Sequence, residues 1–271
     1  MKRFISFLAA LFLLFPLASC ESEETLLKVT VLAIGKADCI VLETAQHTVL
    51  IDTGEEENYE EIASFLDASG IQTIDVLILS HFDKDHVGGA AKIVNNYKVL
   101  SAYQSSFTGD RDEYFDYLAA CEEKGVPVTR LTENTSFDLD GISFTLYPPE
   151  KDSYSENEDN NASVIALCRC GEKTLVFAGD AMEERMEEFL GQNTGSCDFI
   201  KLPHHGSYLE NYPEILSALD PKYAAVTCSK KNPEDEELTD LLSKLGISYY
   251  LTRGGNPVTV KVSQTKMTVS Q

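Results

Sequence analysis

Ser80-His81-Phe82-Asp83-Lys84-Asp85-His86-Val87-Gly88-Gly89 is the stretch on which the reading of this chain turns. It follows residues 74–79, an apolar run bounded by polar residues, the pattern of a strand buried on both faces. Immediately past that strand, His81, Asp83, Asp85 and His86 gather within six residues. A chain leaving a strand end points alternate side chains 81, 83 and 85 into one pocket, and His86 joins them as the chain curls into the helix that Gly88-Gly89 opens. Packing gives no reason to collect two imidazoles and two carboxylates at the end of a buried strand. A divalent cation does: the mixture suits zinc, manganese or iron, and is harder than an all-histidine set.

Toward the N-terminus, residues 28–34, 39–44 and 48–51 read as a β-meander that ends at Asp52-Thr53-Gly54. An acidic amphipathic helix over about 58–67 closes at Gly70. Toward the C-terminus the pattern predicts a helix to about Asn96, a strand at 98–103, a helix at 112–124 stopped by Gly125, and a hairpin at 137–146 around Asp140-Gly141. Residues 148–161 are polar, acidic and rich in turn formers, so they read as a long loop, either a mobile lid or a disordered insertion. Strands at 163–170 and 174–178 lead to Gly179-Asp180, and a helix at 182–190 comes next. A strand at 198–202 then runs into Pro203-His204-His205-Gly206-Ser207. A helix at 213–219, a strand at 223–228, a helix at 234–245 and a terminal hairpin complete the chain. Four of the five histidines thus sit in two clusters, each directly after an apolar strand; the fifth, His47, reads as an exposed turn residue. Two strand-rich halves with interspersed helices fit one domain, residues 27–271, folded as a four-layer αββα sandwich.

Residues 1–19 stand apart. Lys2 and Arg3 precede an apolar run over 4–17, which is short for a membrane span of about twenty residues and fits a signal peptide. Leu17-Ala18-Ser19-Cys20 resembles a bacterial lipobox, which implies cleavage before Cys20 and a lipid on its thiol. Residues 20–26 would be a short acidic tether, and the membrane a partner reached through that lipid at the outer face of the cell membrane. Losing Lys2 and Arg3 moves the formal charge from −22 to −24. Such a surface repels phosphate backbones and disfavours broad capture of nucleic acid, although a bound cation reverses the field locally. The six cysteines from Cys39 on match no zinc-ribbon spacing and read as buried thiols.

The 80–89 stretch resembles the His-x-His-x-Asp-His signature of the metallo-β-lactamase superfamily, with Asp83 in place of the second histidine. That variant is similar to the metallo-β-lactamase-like domains of ComEC-type DNA-uptake proteins. Further segments agree in order: 31–38 with its Gly35 and Asp38 turn, Asp52-Thr53-Gly54, Asn161-Ala162-Ser163, Phe177-Ala178-Gly179-Asp180, and Lys201-Leu202-Pro203-His204-His205-Gly206-Ser207. The resemblance covers about residues 27–262. It implies His81 and Asp83 at a first metal position and Asp85 and His86 at a second, with Asp180 bridging. One of His204 and His205 completes the second position, with preference for His205, while the other contacts substrate. Asp52 orients the metal loop through hydrogen bonds, and Asn161 supports the site. The superfamily's further histidine upstream of the bridging aspartate is missing, and Asp159, Asn160 or Asn161 is left to fill its place.

The resemblance and the clustered donors together predict a metal-dependent hydrolase holding one or two ions, zinc or manganese. Asp85, His204 and His205 would be its catalytic residues, with Asp85 orienting water and accepting its proton. The harder ligand set favours a small-molecule or phosphodiester substrate, nuclease-like or drawn from the envelope. Two rivals remain: an amide, lactone or thioester hydrolase of the same fold, and a lipid-anchored binding module weakened in catalysis. No Gly-x-Ser-x-Gly motif competes.

Overall fold

Two sheets lie face to face with helices on both outer surfaces, in a computed structural model that describes residues 23–192 and 195–271. The expected signal peptide and Cys20 lie outside the described residues. Alternation along the strands builds the layers. Val76 and Ile78 point between the sheets, while Leu77 and Leu79 point to the helices behind. In the second sheet Ala166, Cys168 and Cys170 face inward, and Ile165 and Leu167 face the opposite helices. Three apolar seams result, one between the sheets and one under each helical layer, which is the expected αββα order in a single domain.

The first sheet runs Met267–Ser270, Val258–Val262, Leu27–Val31, Ile40–Glu43, Thr48–Ile51, Val76–Leu79, Ala102–Ser105, Val128–Leu131. The second runs Ser248–Leu251, Tyr223–Val226, Phe199–Lys201, Lys173–Phe177, Ile165–Cys170, Ile142–Tyr147, Thr135–Leu139. Each sheet joins antiparallel strands to a parallel set. Asp52, Ser80, Asp180, His204 and Thr227 all lie just beyond carboxyl ends of strands, where open α/β sheets place ligands. The C-terminal hairpin returns to the first sheet, where Val258–Val262 pairs with Leu27–Val31 on one side and Met267–Ser270 on the other.

Several expected elements are redrawn. The 74–79 run splits: Thr73–Ile74 pairs with Lys98–Val99 in a separate two-stranded ladder, and Val76–Leu79 alone enters the main sheet. The expected helix after the cluster is two, Lys84–Val87 and Ala90–Asn96. Val128–Leu131 and Ser248–Leu251 are edge strands whose exposed side chains hide the alternation. The 148–161 segment ends in a short helix, Glu158–Asn161, and is tied down along its length. Buried Arg185 donates to the carbonyls of Tyr147, Pro148 and Ser163, and Tyr154 donates to Glu188. The expected tether is likewise fastened from Glu23, which accepts hydrogen bonds from Ser263 and Thr265, and Leu26 donates to Val262. The six cysteines from Cys39 on are free and buried, and burial pushes the Cys197 thiol up to about 12. Among the described residues no helix is long and apolar enough to cross a membrane.

Candidate metal centre

Asp52 leaves its strand in a left-handed conformation, φ 58°, and is fully buried. Its carboxylate accepts the Ser80 amide at 2.8 Å and the Ser80 hydroxyl at 2.7 Å, and sits 2.8 Å from His86 Nδ1. A carboxylate only accepts, so His86 carries its proton on Nδ1 and turns the Nε2 lone pair inward.

His205 is set by the opposite sheet in the same way. His204 and His205 both take left-handed backbone, φ 48° and 53°, and Gly206 comes after them at 87°. Two consecutive non-glycine residues there store strain of about 1–3 kcal/mol each, and the tight turn swings His205 into the centre. Thr227 donates to Asp38 Oδ1 at 2.6 Å, which leaves His205 Nδ1 as the donor to Thr227 Oγ1 across 3.0 Å. The other Asp38 oxygen pairs with the ammonium of fully buried Lys201, which also donates to the Gly179 carbonyl at 3.3 Å. Gly179 itself fits only without a side chain, because a Cβ there would stand 2.8 Å from Ser80 Cβ. This close approach brings the Asp180 turn against the metal loop.

Four residues converge. Asp180 Oδ1 lies 3.3 Å from His86 Nε2, and Asp180 Oδ2 lies 3.1 Å from His205 Nε2. Asp85 Oδ2 is 3.3 Å from His205 Nε2, and the two Nε2 atoms are 3.3 Å apart. Ligand atoms from Asp85, His86, Asp180 and His205 all fall within 4.8 Å of one another. Two inward lone pairs and two carboxylates repel unless a positive charge sits among them. Burial alone would lower the His86 and His205 imidazoles, but Asp180 with its neighbours raises both, so the cluster draws protons. Burial would likewise raise Asp85 and Asp180, yet the two imidazoles hold both carboxyls well below their usual range. Asp180 Oδ1 is buried without a hydrogen-bond partner. The donor set and its unspent atoms fit a divalent cation.

The remaining sequence-predicted residues lie around this core. His204 is half-buried with its Nδ1 unpartnered, and burial lowers its pKa, so its ring is neutral near pH 7. His81 Nδ1 lies 3.1 Å from Ser80 Oγ, and its Nε2 is buried with no partner. Asp83 pairs with Arg111 at 2.7 Å and stands apart from the four. Asn161 spends its side chain on backbone: it donates to Glu156 and accepts from Met182 and Arg185, fixing the start of helix Glu183–Gly191. His47, partly exposed, rests on Asp140. Sequence reasoning gave no role to Asp38, Lys201, Thr227, Ser163 or Arg111. The matched segments contained Asp38, Ser163 and Lys201, and Lys201 carried a physical signal as well: a charge inside an apolar strand run requires a buried carboxylate.

The profile of the Metallo-beta-lactamase superfamily matches residues 34–229. ComE operon protein 3 of Bacillus subtilis (strain 168) is 28% identical over 245 residues, 82% of this chain and 30% of that protein. The chain spans between 20% and 30% of the length of the curated relatives it matches, which are ComEC-type competence proteins. Among solved structures, the metallo-beta-lactamase fold protein YhfI of Bacillus subtilis superposes with a TM-score of 0.57 at 10% identity, over 90% of this chain and 99% of that one. A diphosphatase from the PhnP family superposes with a TM-score of 0.53 at 16% identity, over 88% and 98%.

Proposed function

The chain belongs to the metallo-β-lactamase superfamily and carries its hydrolase fold, and from that premise we propose that it is a metal-dependent phosphodiesterase. The observation that carries the proposal is the convergence of Asp85, His86, Asp180 and His205, with both imidazoles oriented from behind by Asp52 and Thr227. These four would hold the ion, with the Asp180 carboxylate between the two rings. A divalent ion held there lowers the pKa of water from 15.7 toward about 7 and polarises the bond under attack.

The chain's own residues supply the rest. Asp85, with a fifth of its side chain exposed at the mouth of the cluster, orients the attacking water and takes its proton. His204, half-buried beside the cluster, donates a hydrogen bond to the substrate. The carboxylate-rich donors and the ComEC-type relatives favour a phosphoryl centre over an amide or lactone. The formal charge of −22 favours a short or small phosphodiester over long nucleic acid held along its backbone. In the same reading a lipid on Cys20 anchors the domain at the outer face of the membrane. Metabolic labelling with a fatty acid tests this, since Cys20→Ala must abolish the label.

The decisive assay takes purified chain with manganese or zinc and offers bis-p-nitrophenyl phosphate, single-stranded DNA and nitrocefin. Phosphodiester turnover that falls by at least about a hundredfold in Asp85→Ala supports the proposal. Turnover of nitrocefin alone would move the reading to amide hydrolysis. A stoichiometric ion with no turnover of any substrate would leave a binding module.

A further inference from the structure

His81 and Asp83 precede the four-residue cluster on the same loop, yet Asp83 meets a different cation. His81 is fully buried, its Nε2 has no hydrogen-bond partner, and the nearest carboxylate oxygen, Asp83 Oδ2, stands 3.8 Å away. The other Asp83 oxygen accepts from Arg111 Nε at 3.0 Å and from Arg111 Nη2 at 2.7 Å. Arg111 ends a loop that lies against the metal turn. A Cβ on Gly109 would stand 2.8 Å from both Phe82 Cβ and Tyr114 Cγ, so the approach depends on glycine. Loop and turn enclose a cavity of about 40 Å³ lined in part by Asp83, Asp110, Arg111 and Asp159. Burial, then the neighbouring Asp83 and Asp110, raise the Asp159 carboxyl, and Asp159 in turn adds to the field on Arg111. Of the carboxylates on this cavity, Asp83 is the one that Arg111 holds as an ion pair.

We infer that Arg111 is the resident cation of this half of the centre: its guanidinium holds the Asp83 carboxylate that a second metal ion would need, so the chain binds one ion, at Asp85, His86, Asp180 and His205. The inference rests on reading those four as a cation site. Removing the guanidinium frees the Asp83 carboxylate beside His81 Nε2, and a second divalent ion then takes its place. Sites carrying two ions hold them about 3.5–4 Å apart. Manganese at such a separation gives an exchange-coupled paramagnetic resonance spectrum, whereas an isolated ion gives its simple six-line pattern.

The test strips the full chain in detergent with chelator and titrates it with Mn²⁺, reading stoichiometry by calorimetry and coupling by paramagnetic resonance. Wild type takes one ion with an uncoupled spectrum. Arg111→Ala and Arg111→Gln each take two with a coupled spectrum, and Arg111→Lys, which keeps the charge, returns to one. Thermal melts within a few degrees of wild type show that the variants fold. Two ions in wild type, or one in both uncharged variants, overturns the inference and leaves the four-residue site standing. No ion in any of the proteins sinks the four-residue site and the inference with it.

Discussion

Asp83 and His86 lie three residues apart on one turn, but the protein treats them differently. His86 is fully buried and backed by Asp52, itself fixed by two hydrogen bonds from Ser80. Asp83 keeps 24% of its side chain in solvent and leans on an arginine that is 43% exposed. The inner half of the centre gathers side chains from beyond strand ends of both sheets, and its two imidazoles are each oriented by a second buried group. The outer half depends on a loop. The difference teaches that a ligand's chemistry does not decide its hold on a cation; the depth of the groups behind it does.

The sharpest break between the halves is the loss of a ligand. Asp180→Asn or His205→Ala removes an inner donor, and both should lose the ion on dialysis and reduce turnover beyond the 10- to 100-fold that a supporting partner costs. Asp83→Asn should keep its ion and stay within about tenfold of wild type, because that carboxylate already answers to Arg111. Metal analysis and phosphodiester kinetics on the three variants decide the matter, and equal losses in all three would erase the distinction.

A second probe reaches the support itself. Lys201 and Asp38 form a fully buried ion pair between the sheets, with Thr227 as the link to His205. Burial would raise the Asp38 carboxyl, but Lys201 holds it below its usual range. Lys201→Met strands that carboxylate, and breaking a buried pair on one side costs about 3–5 kcal/mol in denaturant unfolding. The double variant Lys201→Met, Asp38→Leu removes both charges and should regain much of that stability while still binding metal poorly, since Thr227 then has no anchor. Asp52→Asn should act less on folding and more on the ion: a 10- to 100-fold weaker metal affinity, about 1.4–2.7 kcal/mol by calorimetry.

The Lys201 and Asp38 variants also mark where sequence reasoning stopped. The strand before His81 and the strand before His204 were legible because their side chains are buried on both faces, and the histidines after them have no packing role. Two clusters 119 positions apart in the chain meet in space, His86 to His205, because each sits at a carboxyl end in its own sheet and the sheets face each other. Of the groups behind them, Asp52 was legible through the motif it belongs to, and the others were not. Asp38 and Lys201 are 163 positions apart and pair only because the inter-sheet seam closes over them. Arg111 reached Asp83 through a loop whose path depends on Gly109, and no periodicity encodes such a path. The 148–161 segment read as free because its anchors, Arg185 and Glu188, lie on a later helix.

The smallest expected effect lies at the outer half and sets the floor of the comparison. Arg111→Ala removes an exposed ion pair, and such pairs contribute about 0–1 kcal/mol after screening by solvent and salt. The His81 imidazole and the Arg111 guanidinium hold the Asp83 carboxyl down at about 2, against the upward push of burial. A carboxyl depressed on folding stabilises the protein above its unfolded value, near 3.9, and loses that contribution as pH falls through the folded value. The stability gap between metal-free wild type and Arg111→Ala should therefore be small at pH 7, shrink below about pH 4 and close near pH 2. Denaturant titrations across that range, run in low and high salt, measure it. A gap that matched the 3–5 kcal/mol of Lys201→Met, or that ignored salt, would mean that Arg111 is built into the core as firmly as Lys201, and the contrast between the halves would fall.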